Sequence, residues 1–154
     1  DPAAVAAARQ NADRAGLGER AAFVAGDWTA PVSGFFDVVV SNPPYLRVDE
    51  LDSVAPEVAR YDPRAALDGG PDGLAAYRRL VPQLYARVAP EGLVVLEVGY
   101  GQDRAVRALL DTHGLQVLGY GTDLGGVQRC VIATVSRFLG NGAQNDVGTR
   151  AEPN

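Results

Sequence analysis

The chain has 154 residues, enough for a single domain with a real hydrophobic core, and its 47% hydrophobic and 21% charged residues are ordinary for a globular protein. A formal charge of -5 and an isoelectric point near 4.8 leave no electrostatic footprint for gripping a phosphate backbone, so stable nucleic-acid binding is not expected. One cysteine, Cys130, and one histidine, His113, argue against an internal disulfide, a metal centre and a histidine-dependent triad.

No apolar run approaches the roughly 20 residues needed to span a bilayer, and no signal peptide is visible. A cytoplasmic protein without membrane association is the expectation.

Asp1-Pro2 followed by an alanine-rich run to Ala12 predicts a helix. Asp1 is placed to cap its free N–H groups, and Pro2 suits the first helical position. Gly16 and Gly18 are candidate stops. Ala21 to Ala25 reads as a short strand ending at Gly26-Asp27-Trp28, where a turn residue and a packing group are the plain alternatives for Asp27 and Trp28. Phe35 to Val40 shows no polar alternation and predicts a buried, parallel strand. It stops at Asn42-Pro43-Pro44-Tyr45. Neither proline can donate to a sheet ladder, and each holds the preceding residue extended. A stiff loop is therefore expected at the carboxyl end of a strand, where open α/β sheets place their ligands.

Residues 46 to 72 are the least regular. Asp49 to Val58 suggests a short acidic helix interrupted by Pro56, and Tyr61 to Gly73 is dense in turn formers. So long a loop is more often functional than filler. Leu74 to Val88 carries apolar residues at helical spacing. Pro90-Glu91-Gly92 turns into a strand over Leu93 to Val98, and Gln102 to Thr112 is amphipathic, with Val106, Leu109 and Leu110 on one side. Leu115 to Tyr120 and Arg129 to Val135 predict an antiparallel pair. Cys130 is expected in the core, and residues from about 139 onward are polar and aperiodic, which predicts disorder. The element order implies an α/β sheet with helices on both faces.

The Asn-Pro-Pro-Tyr loop carries the chemistry. An amide nitrogen is a poor nucleophile because its lone pair is delocalised into the carbonyl. Methylating it requires acceptors on its N–H groups and a lone pair aimed at the electrophilic carbon. The Asn42 side-chain oxygen and the Pro43 carbonyl are two such acceptors, and Tyr45 can pack against the planar group. The alternative is a plain turn.

Phe36-Asp37-Val38-Val39-Val40-Ser41-Asn42-Pro43-Pro44-Tyr45 resembles the catalytic segment of class I S-adenosylmethionine-dependent methyltransferases that act on planar nitrogens. Gly26-Asp27-Trp28, the Arg60 to Leu74 segment, Leu96-Glu97-Val98-Gly99 and Arg129-Cys130-Val131 follow in an order similar to the HemK/PrmC family, which methylates the glutamine amide of peptide chain release factors. The resemblance covers about residues 1 to 138.

It implies a Rossmann-like methyltransferase fold, truncated at its N-terminal strands and closed by an antiparallel strand pair, with residues 1–138 as a partial catalytic domain. It also implies S-adenosylmethionine as cofactor and a release factor as protein partner. Asn42, Pro43 and Tyr45 would be catalytic; Pro44 would join them in holding the substrate amide. Asp27, Trp28 and Asn42 would border the cofactor. The family's glycine-rich cofactor motif and ribose-binding acid fall before Pro2, which makes Asp1 a helix cap rather than a ribose contact. Glu97 is divided between the cleft and a solvent role, and Glu57 and Asp62 between partner contact and a solvated face. Gly99-Tyr100-Gly101 mimics half of a dinucleotide fingerprint. Two rival readings are a nucleic-acid adenine methyltransferase and a non-catalytic fragment.

Overall fold

The computed structural model describes residues 1–135. The expected tail from residue 139 lies outside them. Helix α1 spans Pro2–Arg14, and the Asp1 carboxylate accepts from the Ala3 N–H at 2.8 Å, the predicted cap. Strand β1 (Phe36–Ser41) leads through a 3-10 turn at Leu51–Ser53 to the short helix α2 (Pro56–Tyr61). Helix α3 (Ala75–Leu84), strand β2 (Val88–Glu97), helix α4 (Asp103–Thr112) and strands β3 (Leu115–Thr122) and β4 (Gln128–Val135) complete the fold. No helix among the described residues is long and apolar enough to cross a membrane.

The sheet order is β1-β2-β4-β3. β1 and β2 are parallel, with Val39 opposite Val94, as predicted; the expected burial is not met, because β1 is the edge strand and all its residues keep solvent exposure. β4 is antiparallel to both β2 and β3, so the predicted C-terminal pair is present. It follows that β3 runs parallel to β2. The two helical connections, β1 to β2 and β2 to β3, therefore step across the sheet in the same direction. Right-handed crossovers then put both helices on one face, which corrects the expectation of helices on both faces. Tyr77, Leu80, Val81 and Leu84 of α3 and Val106 and Leu110 of α4 bury Val94, Leu96, Val131, Ala133 and Val135 beneath them. On the other face Val38 and Val40 are 55% and 72% exposed, and α1 adds nothing to the buried cluster.

Three further expectations change. Ala21 to Ala25 is irregular, because no neighbouring strand among the described residues offers it a ladder, and Val24 stays exposed. Pro56 opens α2 at its first turn, where a missing N–H costs nothing, rather than interrupting a helix. The helix predicted to reach Val88 ends at Leu84, since Val88 is drawn into pairing with Phe36. The Pro90-Glu91-Gly92 turn persists inside β2 as an irregularity: Phe36 faces Val88 and Val38 already faces Leu93. Cys130 is half-buried opposite Glu97, on the side of the sheet away from the packed core.

Candidate active site

β1 ends at Ser41, and the four residues after it turn across the carboxyl end of the sheet. Pro43 is fully buried while Asn42 is exposed, and no described residue hydrogen-bonds the Asn42 side chain. The prolines thus anchor the corner, and the amide beside them is left free to bind something else.

Tyr45 is held at both ends. Its hydroxyl donates to Glu97 Oε1 at 3.1 Å, and its carbonyl accepts from Gln102 Nε2 at 2.8 Å. Gln102 Oε1 in turn accepts from the Gly99 N–H at 3.1 Å, and the Glu97 carbonyl accepts from the Tyr77 hydroxyl at 2.7 Å. Burial raises the pKa of the Tyr45 phenol above the usual value; the hydrogen bond to Glu97 and its negative charge add to this, and Arg129 opposes it. Tyr77 is raised further, first by burial, then by Tyr45 and Glu97. Both phenols are neutral donors at physiological pH.

The loop of residues 60 to 74 closes on the same corner. Leu46 forms a parallel bridge with Asp68: the Leu46 N–H donates to Leu67 at 3.0 Å, and its carbonyl accepts from Gly69 at 2.8 Å. A β-carbon on Gly69 would stand 2.8 Å from the Tyr45 Cα, so only glycine lets the segment approach this closely. The turn-rich composition read in the sequence is here a clip.

Two cavities of about 390 Å³ each lie on either side of Tyr45 and Leu46. One is lined by Asn42, Pro43 and Pro44 with Val54, Val58 and Leu67 from the following segment. The other is bounded by Arg47, Tyr100, Gln102 and Arg129. The candidate substrate residues Asn42, Pro43, Pro44 and Tyr45 therefore share one cavity wall. Asp62 lines that cavity as well, from the end of α2. Asp27 and Trp28 stand apart from it. One Asp27 oxygen accepts from Arg79 at 2.8 Å, and Trp28 packs against the core. Gln102, Gly73 and the role of Glu97 escaped sequence reasoning. The Glu97-x-Gly99-x-x-Gln102 spacing was visible, but its contact with Tyr45 exists only once β2 lies beside β1.

Known proteins resemble this chain over most of its length. A release factor glutamine methyltransferase from Rhodospirillum rubrum is 48% identical over 132 residues, which is 86% of this chain and 41% of that protein. One from Caulobacter vibrioides is 47% identical over 84% of this chain and 45% of its own length. One from Moorella thermoacetica is 42% identical over 86% and 47% respectively. Over more than four fifths of its length the chain is similar to release factor glutamine methyltransferases. It spans less than half the length of these proteins. Residues 1–53 also match a family model described as an RMKL-like, methyltransferase domain. A solved methyltransferase from Pyrococcus furiosus shares the fold, with a TM-score of 0.55 at 18% identity over 86% of this chain and 58% of that one. The α/β architecture is thus that of a Rossmann-like methyltransferase.

Proposed function

We propose that the protein to which this chain belongs transfers a methyl group from S-adenosylmethionine to the side-chain amide nitrogen of a glutamine in a peptide chain release factor. The observation that carries the reading is the exposed, unpaired Asn42 carboxamide beside buried Pro43, on the wall of a cavity large enough for an amide side chain.

The residues present fit the cofactor in part. Asp27 keeps a carboxylate oxygen beyond the one engaged by Arg79, an acceptor suited to an exocyclic adenine amine, and Trp28 offers a flat apolar neighbour. Asp27 and Trp28 would hold the adenine, and Asn42 would border the reactive end. The bound cofactor supplies an electrophilic methyl group.

The acceptor side of the chemistry belongs to this chain. The Asn42 Oδ1 and the Pro43 carbonyl each accept one N–H of the glutamine amide, which fixes its plane and directs the nitrogen lone pair outward. Polarising both N–H bonds raises electron density on a weak nucleophile, and the proton shed by the methylated nitrogen passes to solvent, since neither carbonyl is a base. Pro44 and Tyr45 line the same cavity beside the amide. Orientation supplies most of the rate, because a planar amide held at van der Waals distance reacts as an intramolecular group.

Release factor and duplex DNA, offered side by side with labelled S-adenosylmethionine, test the proposal. Label is expected on a release-factor glutamine; label appearing on DNA alone overturns it.

A further inference from the structure

We propose that Gln102 and Glu97 are positioning residues that act on the substrate amide through Tyr45, and that Gly73 and Gly99 exist to make room for the Gln102 side chain. The inference deepens the function proposed above and rests on it.

The geometry is a three-way junction. Gln102 stands just ahead of α4, where its amide reaches two other segments. Its nitrogen donates to the Tyr45 carbonyl at 2.8 Å, and its oxygen accepts from the Gly99 N–H at 3.1 Å, so both ends of one side chain are used. A β-carbon on Gly99 would stand 2.9 Å from Gln102 Oε1 and 3.0 Å from Tyr45 Cδ2. A β-carbon on Gly73 would stand 2.5 Å from the Tyr45 carbonyl oxygen and closer still to the Gln102 nitrogen. Two glycines from separate parts of the chain are therefore cleared around one amide. Glu97 completes the hold, accepting from the Tyr45 hydroxyl at 3.1 Å while its own carbonyl is tied to Tyr77.

Tyr45 is fixed at its carbonyl and at its phenol, 57 and 52 residues away in sequence from the groups that hold it. Two prolines with restricted φ connect it to Asn42, so little slack separates the clamp from the two acceptors. A misplacement of 1 Å at a reacting group is enough to lose about 100-fold in rate. Neither Gln102 nor Glu97 lines the Asn42 cavity, which makes their action indirect.

The test uses the intact protein. Gln102→Glu keeps the acceptor for the Gly99 N–H and removes the donor to Tyr45. Turnover is expected to fall about 10- to 100-fold with S-adenosylmethionine affinity unchanged within about threefold. Glu97→Ala should lose about tenfold, and Glu97→Gln, whose amide oxygen still accepts from the phenol, should recover most of it. Hydrogen exchange supplies a readout that does not depend on activity. In Gln102→Glu the Leu46 and Gly69 amides should exchange about tenfold faster, with the Leu110 amide in α4 as an unchanged reference. Unchanged turnover in Gln102→Glu, equal damage from Glu97→Gln and Glu97→Ala, or unchanged exchange at Leu46 and Gly69 overturns the clamp. Absence of methyl transfer to release factor by the unmodified protein overturns the function instead, and exchange then judges the clamp alone.

Discussion

Gly73 offers the sharpest test of how the Asn-Pro-Pro-Tyr corner is held, because the same chain provides its control. Gly73 and Gly101 have nearly equal backbone conformations, with φ of +74° and +73°. An alanine at either site pays for a left-handed φ, about 1–2 kcal/mol. At Gly101 a β-carbon meets nothing within 4 Å, so that is the whole expected effect. At Gly73 it meets the Tyr45 carbonyl oxygen at 2.5 Å and displaces the Gln102 amide. Overpacking adds about 1–3 kcal/mol, and the lost hydrogen bond adds about 0.5–1.5 kcal/mol. Gly73→Ala should therefore be destabilised by roughly 2 kcal/mol or more beyond Gly101→Ala, in urea unfolding followed by far-ultraviolet circular dichroism. It should also lose turnover, while Gly101→Ala keeps its rate. Unfolding free energies within about 0.5 kcal/mol of each other would refute the close approach.

Other consequences follow from the same geometry. Asn42→Ala should lower turnover about 100- to 1,000-fold with S-adenosylmethionine binding largely intact. Because Asn42 is exposed and unpaired, thermal stability should barely move; equal loss of binding and turnover in calorimetry and initial rates would make Asn42 structural. Tyr45 and Tyr77 hold their protons more tightly in the folded protein than in the unfolded chain. Their contribution is complete below pH of about 10 and is lost as pH rises through the raised folded values. Urea midpoints from pH 8 upward should fall less steeply in Tyr77→Phe; an identical slope would contradict the burial argument. The Asp72 carboxyl is held at about 2, chiefly by Arg78. Its contribution is present above pH of about 4 and fades as pH falls through about 2, so the melting temperatures of Asp72→Asn and the unmodified protein should converge in acid. A constant offset between them would show that the ion pair is not the cause.

The sequence by itself determined the strand and its abrupt end. Six residues without polar alternation read as a buried parallel strand; β1 is parallel to β2, but it lies at the sheet edge and none of its residues is buried. Two prolines with no donors had to stop the ladder after it, and Pro43 is buried where they do so. Those are local facts, set by covalent geometry and the period of the side chains. The likeness to release factor glutamine methyltransferases was legible for a related reason: the motif residues lie within short windows whose order survives in one dimension.

What only the tertiary structure decided depends on which strands become neighbours. Ala21 to Ala25 has the composition of a strand and is not one, since a ladder needs a partner that no local pattern supplies. Both packing helices share a face because the crossovers advance in one direction, a property of strand order rather than of either helix. Glu97 stays divided between the cleft and solvent, and Gln102 is only the start of a helical pattern, until β2 lies beside β1 and brings both to Tyr45. The Asn-Pro-Pro-Tyr corner was written locally; the side chains that hydrogen-bond Tyr45 lie more than 50 positions away.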